Sequence, residues 1–190
     1  MATEDTRSKL LDAAQSLVQE RGFNAFSYRD LAEAVGIRTA SIHYHFKTKG
    51  ELGKSLIDRY RTRLEEALAV IDGKNTSSIA KLKAFIGIYK QTESKGAICL
   101  CGSMASDWET LDAEVRSAVA AYLAFSENWV AKQLRAGVQS GEYPLTTKPA
   151  DAAASLIACL QGGLILSRTR SGGGVVSRIQ ANFLGALEAK

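Results

Sequence analysis

Between Gly36 and Lys49 the chain carries Arg38, Lys47 and Lys49 and no acid, with Thr39, Ser41, His43 and Tyr44 interleaved. Cations set among neutral hydrogen-bond donors suit a polyanion. The charges neutralise phosphates, while hydroxyl, imidazole and phenol groups reach phosphate oxygens or base edges. Small Ala40 lets a helix sit close to a base edge or a thymine methyl. Upstream, Ser27 opens a helix, where its hydroxyl and the free backbone N–H groups can hold a phosphate. The candidate DNA contacts are therefore Ser27, Arg38, Thr39, Ala40, Ser41, His43, Tyr44, Lys47 and Lys49.

Other chemistries find less support. His43 and His45 are the two histidines, and their spacing puts them on different faces of a helix. No Cys or acid is placed to complete a metal site with them. The chain has no Gly-x-Ser-x-Gly, His-Glu-x-x-His, Cys-x-x-Cys or Gly-rich phosphate loop. A small all-helical enzyme is the competing class, and it lacks a general base outside the basic run. Neither a metal nor a cofactor is expected.

The elements that must hold these residues read as helices. Two prolines in 190 residues leave the chain free to be mostly helical. A composition of 46% apolar and 23% charged residues excludes a disordered or fibrous chain. The net charge of +4 permits a nucleic-acid partner without requiring one. Thr3 or Thr6 can cap a first helix that turns Leu10, Ala14, Leu17 and Val18 inward and ends at Gly22. Ser27 and Asp30 form a capping pair for the next, which stops at Gly36. A short helix over 39–45 follows, then a long one opened by Thr48 and Glu51 and running to Ile71, with a turn at 72–75. Further helices are expected at 77–92, 100–108, 112–139, 149–170 and 175–188. No strand pattern appears, so the fold class is all-α, about nine helices.

Two short helices joined by Val35-Gly36-Ile37-Arg38 have the spacing of a helix-turn-helix, whose second helix enters the DNA major groove. Leu31, Val35, Ile37, Ile42 and Phe46 are its expected core. The pattern Gly22-Phe23, Ser27, Leu31-Ala32, Val35-Gly36-Ile37, Ser41-Ile42, Tyr44-His45-Phe46, Lys49 and Leu52 resembles the DNA-binding domain of the TetR family of transcriptional repressors. His43 stands where that family usually has Tyr, and Lys47 where Pro is common. The resemblance implies a DNA-binding domain over 1–52 and an effector-binding and dimerisation domain over 53–190. It also implies release of operator DNA by a small molecule.

In the second half, Ala152, Ala153, Leu156, Ile157, Leu160 and Leu164 make one apolar helix, and Val176, Ile179, Phe183 and Leu187 line the next. A stretch this apolar is expected to form a homodimer through about 150–188, matching the palindromic double-stranded operators that dimeric readers use. Gly162-Gly163 permits close approach of backbones, and Cys159 is expected in the core. The apolar stretch from Ala152 to Leu166 is too short for a membrane span. Phe85, Tyr89, Met104, Trp108, Tyr122 and Phe125 are candidate lining for an effector pocket, for a largely apolar ligand. The segment Gly96–Asp107 resembles an element of a TetR subgroup, some members of which sense electrophiles or oxidants through cysteine. Cys99 matches that subgroup's cysteine, with Cys101 beside it as a second possible sensor thiol. The acidic N-terminus without an apolar run, and the odd cysteine count, lead to the expectation of a cytoplasmic protein with free thiols.

Overall fold

Capping residues, glycines and apolar spacing divide the chain into helices. A computed structural model describes residues 2–74, 77–170 and 173–188. It contains α1 (Ala2–Arg21), α2 (Tyr28–Val35), α3 (Thr39–His45), α4 (Lys49–Lys74) and α5 (Ser78–Ser94). These are followed by α6 (Leu100–Ser106), a 3-10 turn (Trp108–Thr110), α7 (Ala113–Gln139), α8 (Pro149–Ser167) and α9 (Val175–Glu188). No strand occurs among the described residues, and the class is all-α.

The chain resolves into two compact units, Met1–Arg63 with Leu100–Tyr122, and Leu64–Cys99 with Leu123–Lys190. The N-terminal part of the chain thus shares its unit with α6, the 3-10 turn and the start of α7, which a division at residue 52 does not anticipate. In the first unit, Leu10, Ala14 and Val18 of α1, Leu31 of α2, Ile42 of α3, Leu52 and Leu56 of α4, and Leu100 and Met104 of α6 are all buried. Burying each large aliphatic side chain contributes about 1.5–3 kcal/mol. Val35 and Ile37, expected in the core, are half-buried.

In the second unit, α5, α8 and α9 pack on one another, with Leu82, Phe85, Leu156, Leu160, Leu164 and Val176 buried. Two of its helix starts are capped by distant carboxylates. Glu142 accepts from the Ser78 and Ile79 N–H groups at 2.9 and 3.2 Å, and Glu93 from those of Val175 and Val176 at 2.8 and 3.2 Å. An acid at a helix N-terminus satisfies orphan donors and complements the helix dipole.

Several expectations need correction. The turn at 72–75 is absent through Lys74, where α4 continues, and Asn75 lies outside the described residues. Asp72 is held there by the Trp129 indole N–H at 3.1 Å and Lys81 at 3.0 Å, both in the same unit. The first helix begins at Ala2, before either threonine proposed as its cap. The helix from Leu100 ends at Ser106, and Trp108–Thr110 winds as a 3-10 turn. The helix from Pro149 ends at Ser167, not at 170. Cys159, expected in the core, is exposed. By length and composition the 19 residues of α8 could cross a membrane, but a third of that span is buried inside the fold, where α8 packs on α5 and α9.

Candidate nucleic-acid interface

Ser27 caps α2. Its hydroxyl accepts from the Asp30 N–H at 3.3 Å, and its own N–H donates to the Asp30 carboxylate at 2.7 Å, closing the capping box read from the sequence. The hydroxyl proton goes to the same carboxylate at 2.5 Å. These bonds from Ser27 hold the Asp30 carboxyl below its ordinary value. The helix start that was expected to receive a phosphate therefore already carries its own anion.

At the other end of α2, Gly36 takes the left-handed conformation, φ 75°, that a side chain disfavours. The Ile37 N–H returns to the Ala32 carbonyl at 3.0 Å and the Gly36 N–H to that of Glu33 at 3.3 Å. This is a complete Schellman closure made from the turn's own backbone.

The next helix, α3, is seven residues long and is seated by Ile42, which is fully buried. Arg38, Thr39, Ala40, Ser41, His43, Tyr44 and Lys47 are exposed around it, Tyr44 at 76%. Ser27 is exposed as well. The structure thus brings seven of the predicted contacts onto one short helix and its flanks, with no acid among them.

Lys49 is the exception. Its ammonium donates to the Phe26 carbonyl and lies 4.9 and 4.4 Å from the ring centres of Phe23 and Phe26. Desolvation pushes its pKa down, with Asp107 and Asp30 opposing that shift. The charge expected on a phosphate instead fastens the first turn of α4 to the loop between α1 and α2.

The corner after α3 has no proline, and four hydrogen bonds do the bracing. The Tyr28 hydroxyl lies 3.1 Å from the Phe46 carbonyl and 2.6 Å from that of Thr48. The Lys47 N–H donates to the Glu51 carboxylate at 2.8 Å, while the Thr48 hydroxyl accepts from the Glu51 N–H at 3.1 Å. His43 Nδ1 lies 3.4 Å from the Lys47 carbonyl, and its ring meets that of Tyr28 edge-on at 4.9 Å. Burial, and secondarily the Glu51 charge, push the Tyr28 hydroxyl up to about 12. Tyr28 and Glu51 are positioning residues that no spacing rule selects. The signal available was the Thr48–Glu51 capping pair, which closes one residue off the usual reciprocal pattern.

The other predicted sites disperse. Phe85, Tyr89 and Phe125 belong to the second unit, and Met104, Trp108 and Tyr122 to the first. Met104 is buried beside the Phe23 ring, where Gly53 leaves room for both. Trp108 is 38% exposed on the 3-10 turn. Phe85 stacks with Trp129 at 5.5 Å and meets Tyr89 at 5.6 Å. Cys99 and Cys101 are both buried. No group of three or more His, Cys, Asp or Glu residues with metal-binding geometry occurs among the described residues.

The family of bacterial regulatory proteins of the tetR type matches residues 10–56, and the tetracyclin repressor-like C-terminal domain matches residues 78–182. The HTH-type transcriptional repressor KstR2 of Rhodococcus jostii is 31% identical over 146 residues, spanning 72% of this chain and 67% of the relative. The probable HTH-type transcriptional regulator YttP of Bacillus subtilis is 32% identical over 75 residues, 37% of this chain and 36% of its own length. A TetR-family transcriptional regulator from Agrobacterium tumefaciens superposes with a TM-score of 0.93 at 27% identity, covering 97% of this chain and 98% of that one. With a helix-turn-helix seated on Ile42 and both domains of the family matched, the chain belongs to the TetR family and is a transcriptional repressor, not an enzyme.

Proposed function

We propose that the chain binds a palindromic operator as a homodimer and leaves it when a small, largely apolar effector binds. The observation that carries the DNA reading is α3 itself. It is anchored by one buried isoleucine and surrounded by Arg38, Thr39, Ser41, His43, Tyr44 and Lys47, all exposed. A helix so thinly seated presents its polar side to a partner, and the lack of acid makes that partner an anion. Arg38 and Lys47 serve as phosphate contacts, with Thr39, Ala40, Ser41, His43 and Tyr44 facing base edges or the sugar-phosphate backbone. Lys49 leaves this set for the reason given above, and Ser27 acts through its cap on α2.

Dimerisation is assigned to α8 and α9. Ala154, Ala158, Cys159, Ile165 and Leu166 are exposed along α8, and a mostly apolar groove of about 280 Å³ lined by Leu156, Cys159, Ile179 and Phe183, with Ser155 and Asn182, runs between the two helices. Small residues and an apolar groove favour a second helical pair over water. Two copies would set their α3 helices about one DNA turn apart, roughly 34–36 Å. Phe85, Tyr89 and Phe125 remain the best aromatic candidates for effector contact. Triggering at Cys99 or Cys101 has weaker support, because reactive thiols are accessible ones and both are buried. The protein would act in the cytoplasm, where its operator lies.

The test is fluorescence anisotropy with a palindrome that the protein selects from a random duplex pool. Tight binding that weakens steeply with salt supports the reading. Binding that is independent of salt, or unaffected by Arg38→Ala with Tyr44→Ala, sinks it.

A further inference from the structure

Within the first unit, the two helices that precede α3 end differently. The end of α2 is self-sufficient, closed by the Schellman pair at Gly36 and Ile37. The end of α1 is not. Gly22, at φ 98°, returns its N–H to the Val18 carbonyl at 2.9 Å, and the chain makes no second backbone return. The N–H groups that follow are bonded by a residue more than 80 positions away, and the Val18 carbonyl takes a second donor from equally far along the chain. Asp107, just beyond α6, accepts the Phe23 N–H at 3.0 Å and the Asn24 N–H at 3.2 Å through the same carboxylate oxygen. The Ser103 hydroxyl of α6 donates to the Val18 carbonyl at 2.9 Å. The Asn24 amide donates to the Thr110 hydroxyl at 2.7 Å, and that hydroxyl in turn donates to the Asp107 carbonyl at 2.7 Å.

Two further features place this closure at the joint of the reading head. Gly22 holds a φ of 98° that a side chain disfavours, and a Cβ there would stand in ordinary contact, 3.7 Å, with the Asp107 carboxylate. The Phe23 ring beside it lies against Gly53 of α4 and under the Lys49 ammonium, whose charge Asp107 also supports. The loop from Gly22 to Phe26 leads directly into α2, and α2 packs on α3.

We propose that Asp107 is a positioning residue for operator binding: by completing the open end of α1 it fixes the direction in which α2 and α3 leave that helix. Asp107 belongs to neither α2 nor α3, so it acts on DNA only through the loop. This inference rests on the palindromic reading above and adds a residue to it. A reading head released from Asp107 keeps its contact surface but loses its fixed direction. Affinity for one half-site is then preserved, and the ability to hold two half-sites at one spacing is lost.

The experiment uses the full-length protein and three duplexes. These are the palindrome selected from a random pool, the same palindrome lengthened by one base pair at its centre, and a single half-site. The unaltered protein is expected to prefer the selected spacing. Asp107→Ala should bind the selected palindrome about tenfold more weakly, the size of effect a lost charge-assisted bond gives. It should bind the half-site as before and show little preference between the two spacings. Asp107→Asn keeps a carbonyl oxygen for the two N–H groups and should recover most of the preference. Thr110→Val removes the Asn24 partner at an exposed position and should move the ratio in the same direction by less. It carries the test if Asp107→Ala fails to fold by circular dichroism. Retention of the spacing ratio in these variants, whether all affinities fall together or none changes, overturns the inference. An unaltered protein with no spacing preference overturns the palindromic reading and this inference with it.

Discussion

Helices α3 and α8 are both incompletely buried, and they leave opposite things uncovered. In α3 one side chain, Ile42, is buried and the exposed residues are hydroxyls, imidazole, phenol and flanking cations. In α8 six residues are buried, yet beyond Asp151 and Ser155 the exposed residues are alanine, cysteine, isoleucine and leucine. The exposed side of α3 is well solvated and that of α8 is not. The polar helix gains by exchanging water and counterions for phosphates, and the apolar one by exchanging water for another protein surface. Burial alone would class the two helices together, and the chemistry of the uncovered side separates them.

That contrast can be broken most forcefully on α8. Ala158→Glu places a charge in the middle of its apolar outer side, and we expect the protein to sediment as a monomer. Palindrome affinity should fall at least about a hundredfold, as it does when an unpaired charge is buried at an interface. A variant that remains dimeric would show that this side of α8 is solvent-facing after all. Next in size is the seat of α3. Ile42→Ala should cost roughly 2–4 kcal/mol of stability in a urea titration, since no other residue of that helix is buried to compensate.

The brace beneath α3 sharpens the comparison at smaller magnitude. Tyr28→Phe removes the hydroxyl bonds to the Phe46 and Thr48 carbonyls and should cost about 1 kcal/mol. The hydroxyl must be protonated to donate, and its folded-state value lies near 12 against an ordinary 10. Its contribution is therefore whole below pH 10 and is lost as the pH rises from 10 towards 12. The stability gap between the two proteins should narrow over that interval. A gap that stays constant with pH would assign the effect to packing of the ring. The smallest expected change belongs to a single surface charge. Arg38→Ala should lower the slope of log affinity against log salt on the palindrome by about 1.8, the release of counterions from two phosphates, one for each protomer. An unchanged slope would remove Arg38 from the phosphate contacts.

Much of the helical outline was legible because local chemistry repeats tertiary demand. Ser27 with Asp30 and Gly36 bracket α2 in sequence exactly as they do in space, and α3 has the predicted bounds. Where local and tertiary demands parted, sequence failed. Asp72 and Gly73 have the composition of a turn, but the bonds of Asp72 to Trp129 and Lys81 keep them helical. Cys159 sits in a helix that is apolar all round, so no periodicity told its inner side from its outer one. Lys49 reads as a phosphate ligand until Phe23 and Phe26 are seen folded beneath it. Asp107 was illegible for the simplest reason: its two partners are 84 and 83 residues away.

The borrowed end of α1 also bears on how regulators of this kind can be recombined. A fragment cut at Leu52 and spliced onto a foreign body would carry its DNA-reading helices intact. It would leave the Phe23 and Asn24 amides without their acceptor and the Phe23 ring without Met104. The transplantable part is therefore discontinuous, residues 1–63 together with 100–122. Any chimera that keeps the specificity of one parent should inherit both stretches from that parent.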